Sequence, residues 1–154
     1  MTEPLIAARD VVRPTATEAA RFLEQATFGP TPALVAHVQD VGLAGFLDEQ
    51  FAEPATSLPE FDQIWPGTTP VTCVGTCPRD NYTMYPLQSA FFRNAVTAPD
   101  QLRQRLFFAL SQIFVTSAVD TDLRLPSRMT WYLRMLVDNA FGTYRDLLRA
   151  VTLH

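Results

Sequence analysis

Lysine is absent: all twelve basic side chains among the 154 residues are arginine. Only two histidines and two cysteines are present, and His37 and His154 show no paired spacing. A structural zinc site takes four ligands, so no metal is expected. None of the patterns G-x-S-x-G, H-E-x-x-H, Walker A or G-x-G-x-x-G occurs, which leaves no hydrolase, zinc-protease or nucleotide signature and no expected cofactor. Long apolar runs are missing too. The longest is Leu106–Leu110, far below the roughly 18 residues of a membrane span, so no transmembrane segment is expected. The opening stretch MTEPLIAARDVV carries Glu3, Arg9 and Asp10 where a signal peptide needs an apolar centre, so no signal peptide is visible. A net charge of −4 argues against nucleic acid as a partner. With 47% apolar and 18% charged residues the chain is instead of globular composition, the length of one ordinary domain.

What is present is helical patterning. Residues 1–14 read as an extended lead-in, and Thr15-Ala-Thr-Glu18 as a capping box starting a helix with Ala19, Phe22, Leu23 and Ala26 on its buried face. Gly29-Pro30 ends it. Thr31-Pro32 opens a second helix with Leu34, Val35, Val38 and Val41 inward, which Gly42 stops. A third, over about 43–52, is expected to bury Leu43, Phe46, Leu47 and Phe51. From 53 to 81 periodicity disappears, and five of the twelve prolines fall there with Trp65 and both cysteines. Loops of that length are functional or disordered.

Helix resumes near Pro86, with Leu87, Ala90, Phe91 and Ala95 in register and Phe92 widening the face. Thr97-Ala-Pro-Asp100 reads as a second capping arrangement. Leu102, Leu106, Ala109, Leu110, Ile113 and Phe114 form the next stripe. Phe107 and Phe108 extend it almost around the cylinder, predicting a central helix whose polar members need partners. After a polar turn at 119–126, Met129, Leu133, Leu136, Val137, Ala140 and Phe141 make a full stripe closed by Gly142. Thr143-Tyr-Arg-Asp146 starts a last helix bearing Tyr144, Leu147, Leu148 and Val151. The expected fold is all-α, a multi-helix array of about six or seven helices with one long proline-rich loop.

The candidate chemistry is sparse. Cys73 and Cys77, spaced as C-V-G-T-C, suit a short disulfide in an oxidising compartment; free thiols or two zinc ligands are the other readings. Arg79-Asp80-Asn81-Tyr82 places a cation, a carboxylate and a phenol where the loop meets a helix, either around an anion pocket or as local turn chemistry. Arg103 and Arg105 are either an anion clamp or structural ion pairs. Residues 1–86 carry a charge of −7 and residues 87–154 of +3, which sets a basic later half against an acidic earlier one. His37 reads as a surface side chain. Asp120-Thr-Asp122 begins like a calcium loop, but Leu125 and Trp131 stand where glycine and glutamate are required.

Taken in series, AARFLEQATFGPT (19–31), GLAGFLDEQF (42–51), CPRDNYTMYPLQ (77–88), DQLRQRLFFALSQIFV (100–115) and NAFGTYRDLLRAVTLH (139–154) resemble the bacterial domain of unknown function family 1800. The resemblance implies a longer protein, with residues 15–154 as the N-terminal part of its helical domain. It also implies an extracytoplasmic location, and it transfers no catalytic residue. The expected role is therefore a non-catalytic, binding or assembly segment of an envelope or extracellular protein. Its partner is the remainder of its own chain or another protein. The alternative is the N-terminal half of an enzyme acting on a polymer or anionic substrate, with most of the active site beyond residue 154.

Overall fold

The computed structural model describes residues 12–61, 69–118 and 125–153. Seven helices and no strand occur among them: α1 (Ala16–Ala26), α2 (Pro32–Ala52), α3 (Cys77–Tyr82), α4 (Tyr85–Thr97), α5 (Gln101–Ile113), α6 (Pro126–Asp138) and α7 (Tyr144–Leu153). The all-α expectation holds. The chain divides into two compact units, residues 1–49 and 50–154. Most of the lead-in, Trp65, Asp120-Thr-Asp122 and His154 lie outside the described residues.

The first unit begins at the predicted capping box. The Thr15 hydroxyl accepts the Glu18 N–H at 3.3 Å, and the Glu18 carboxylate accepts the Thr15 N–H at 2.8 Å. Ala19, Leu23 and Ala26 are buried as their spacing requires. The helix ends earlier than Gly29: Thr27 caps it, its hydroxyl donating to the Leu23 carbonyl at 2.7 Å and accepting the Gly29 N–H at 3.1 Å. In α2, Gly42 stands at φ 78°, ψ 167°, a left-handed conformation that favours glycine and divides the helix into the two stretches expected. Val38 and Phe46 are buried, and the Phe22 ring meets Phe46 edge-on at 5.7 Å.

The cap of α1 supports a testable statement. Bonds from the Thr15 backbone and side chain hold the Glu18 carboxyl below its ordinary value of 4.5. A lowered folded-state value stabilises above the unfolded value and is lost as pH falls through the folded one. Helix α1 is therefore expected to loosen below about pH 4.5. Thr15→Ala, which removes the cap at any pH, should cost about 1 kcal/mol, read from denaturation at pH 7.

The second unit is built on α4 to α7, with α5 and α6 as its most extensively packed pair. Its core joins Leu87, Ala90, Phe107, Met129, Leu136, Val137 and Leu147. Leu58, from the proline-rich stretch, is buried among them. That stretch is thus partly an ordered strap. The Thr130 hydroxyl donates to the Pro59 carbonyl at 2.8 Å, and Arg134 pairs with Glu60 at 2.6 Å.

Further details differ from the sequence reading. Residues 77–82 form α3, so the irregular stretch is shorter at its C-terminal end. Thr97 is the last residue of α4, its hydroxyl bonding back to the Arg93 carbonyl at 2.9 Å, and no capping box forms with Asp100. In α4, Asn94 rather than Ala95 takes the third buried position. Helix α5 is not surrounded: Gln104 and Phe107 are its buried residues, while Ile113 is 69% exposed. Phe51, expected to be buried, is also exposed, its ring edge-on to Phe141 at 5.0 Å. Apolar spacing finds a stripe, but the neighbours available decide which part of a wide stripe is covered.

Candidate functional site

The aromatic doublets Phe91-Phe92 and Phe107-Phe108 shape the site. Adjacent helical positions lie about 100° apart, so the two rings of each doublet leave their helix in different directions and widen its apolar arc. Phe107 is buried, Phe91 and Phe108 are partly covered, and Phe92 is 66% exposed. The rings of Phe92, Phe107 and Phe108 surround Phe91 at centroid distances of 5.4, 6.4 and 5.5 Å. Beside them opens a cavity of about 510 Å³, walled by these rings with Leu58, Leu87, Met129 and Tyr132. The Tyr132 hydroxyl donates to the Phe114 carbonyl at 2.8 Å and the Ser111 hydroxyl to the Phe108 carbonyl at 2.7 Å. The first bond ties the end of α5 to α6, and the second lies within α5. No Asp, Glu, Arg or His lines the cavity among the described residues. Sequence reading assigned these aromatics to the core; the doublets are the sequence feature that marks an apolar arc wider than a single buried stripe.

A second feature is a buried polar knot under α5. Asp100 is fully buried, and its Oδ2 accepts the Thr56 N–H at 2.9 Å and the Gln104 amide at 3.0 Å. Gln104 also donates to the Thr56 carbonyl at 3.0 Å. Gln50 completes it: its Oε1 accepts the Leu102 N–H at 3.0 Å, an orphan amide of the first turn, and its Nε2 donates to the Pro99 carbonyl at 3.1 Å. The knot fastens the strap to the start of α5. Asp100 itself makes no side-chain cap bond to its own helix; its carboxylate accepts from the Thr56 N–H and the Gln104 side chain.

The six residues selected from sequence fall into separate places. Arg79 and Asp80, neighbours on α3, pair at 2.7 Å, and the Arg79 guanidinium lies 4.6 Å from the Tyr85 ring centre. The Arg79 bond, with a second from Thr76, holds the Asp80 carboxyl below its ordinary value, and the Arg79 guanidinium is raised by the same bond. Asn81 donates to the Cys77 carbonyl at 3.1 Å, and Tyr82 ends α3. Arg103 on α5 lies 3.8 Å from Asp100 and stacks 4.2 Å from the Phe141 ring centre. Arg105 is partly buried on the same helix. Arg79 and Arg103 thus serve separate carboxylates. Cys73 and Cys77 are at disulfide distance, Cα atoms 5.3 Å apart, with Gly75 between them at φ 66°. His37 makes an exposed 2.6 Å contact with the Glu49 carboxylate.

Among the described residues no group of three or more His, Cys, Asp or Glu side chains is arranged to hold a metal ion, and no helix is long and apolar enough to cross a membrane. Neither a curated protein nor a solved structure matches the chain. The model of one family, described as a protein of unknown function (DUF1800), matches residues 21–154, and the chain belongs to that family.

Proposed function

We propose that this chain is a non-catalytic binding segment of a larger bacterial envelope or extracellular protein. Its partner is the remainder of its own chain or another protein. The observation that carries this reading is the aromatic cavity, whose lining among the described residues holds no Asp, Glu, Arg or His and leaves Phe92 and Val115 exposed. A largely apolar concavity is suited to recognition, whereas acid–base or nucleophilic catalysis needs a poised titratable group. The cysteine pair at disulfide distance suits an oxidising compartment. The alternative, an enzyme half with Arg79, Asp80, Asn81, Tyr82, Arg103 and Arg105 contributing, finds no comparable support, since Arg79 and Arg103 face carboxylates close by in sequence.

The two readings separate in the full-length protein. Phe92→Asp combined with Val115→Asp alters exposed side chains and should weaken co-purification with the partner at least tenfold. The triple variant Arg79→Gln, Asp80→Asn, Arg105→Gln should keep the partner. Retention by the first variant and loss by the second would reverse the conclusion.

A further inference from the structure

We infer that the aromatic cavity of the second unit is a binding site for a neutral, hydrophobic small molecule carrying one uncharged polar end. The inference rests on the reading of that cavity as the binding surface, and it names what fills it. Three observations lead there.

The first is size. About 510 Å³ lies inside the roughly 300–1,000 Å³ of small-molecule pockets. A partner helix instead needs a groove that accepts anchors at i, i+3, i+4 and i+7 over several turns.

The second is the wall. Phe91, Phe107 and Phe108 present rings, and Met129 contributes a flexible thioether side chain that adapts to an irregular guest.

The third is charge. No ionised side chain lines the cavity among the described residues, so a carboxylate or ammonium entering it would give up hydration without gaining a charged partner from them. Gln88 and Gln112 are exposed lining residues whose side-chain amides suit a neutral hydroxyl or carbonyl.

The test uses the chain with N-phenyl-1-naphthylamine, an uncharged fluorescent probe, competed by 1-octanol or by octanoate. Saturable one-to-one binding is expected, with octanol displacing the probe at least tenfold more effectively than octanoate. Ser111→Trp, which places an indole at the wall, should weaken probe binding at least tenfold at unchanged far-UV circular dichroism. Val115→Arg offers a cation from an exposed position that packing does not constrain, and it should narrow the octanol-to-octanoate gap. Unsaturable binding, equal competition by octanoate and octanol, or probe affinity unmoved by either variant would overturn the inference. The partner assay is read separately: loss of the partner by the Phe92→Asp, Val115→Asp protein without saturable probe binding would leave the binding role standing and remove only the small molecule.

Discussion

Asp100→Ala is expected to destabilise the protein by about 3–5 kcal/mol, the range for removing one member of a buried charged group. In a chain of this length that is a fall of about 10 °C in the thermal midpoint. The reason is the fully buried Oδ2, which accepts both the Thr56 N–H and the Gln104 amide. Alanine leaves two donors without their acceptor inside the fold, each costing about 1–3 kcal/mol. The ion pair with Arg103 contributes less, because its nearest approach is 3.8 Å and the guanidinium also rests on Phe141. Asp100→Asn keeps an oxygen for the Thr56 N–H and should cost about 1–2 kcal/mol. Arg103→Met, which retains length over the Phe141 ring but takes the cation from the fully buried Asp100 carboxylate, should cost less than Asp100→Ala, about 1–3 kcal/mol. Urea denaturation of the three variants gives the order directly. An Arg103→Met loss equal to that of Asp100→Ala would show that the ion pair, rather than the bonds to Thr56 and Gln104, fastens the strap.

Leu136→Ala should cost about 3–4 kcal/mol, while Ile113→Ala should change stability by less than about 0.5 kcal/mol. Both residues occupy positions that helical periodicity assigns to a buried stripe. Leu136 is fully buried in the core shared with Phe107, Val137 and Leu147, so truncation removes its transfer energy and leaves a void. Ile113 is the last residue of α5 and is 69% exposed, so alanine there surrenders little. Paired denaturation curves measure the difference. Equal losses would mean that Ile113 is covered in solution, and the surface around the end of α5 would then belong to an interface.

These contrasts mark the division between sequence and tertiary structure. The sequence by itself determined the helices of this protein other than α3, and several of their starts. The Thr15–Glu18 box and the Thr143–Asp146 start, where the hydroxyl and carboxylate meet at 2.6 Å, are interactions between residues three apart, and the break at Gly42 is one residue's own backbone conformation. Such interactions are set by local geometry whatever the rest of the chain does. The approach of Cys73 to Cys77 belongs to the same class, since four residues separate them.

The knot and the cavity belong to the other class. Asp100 looks from sequence like a helix-capping residue, but its carboxylate is taken by the amide of Thr56, 44 positions earlier. Gln50, unremarkable in its own helix, supplies the acceptor for the first turn of α5 from 52 positions away. Leu58 enters the core from a stretch with no periodicity at all. The candidate site divides in the same way: the Phe91-Phe92 and Phe107-Phe108 doublets were visible as excess aromatic surface. Which ring of each was covered, and that the less covered ones share one aromatic hollow with Met129 and Tyr132, followed only from how α4, α5 and α6 pack. Periodicity records how much apolar surface a helix carries; burial depends on which long-range neighbours arrive to cover it, and no short window of sequence contains them.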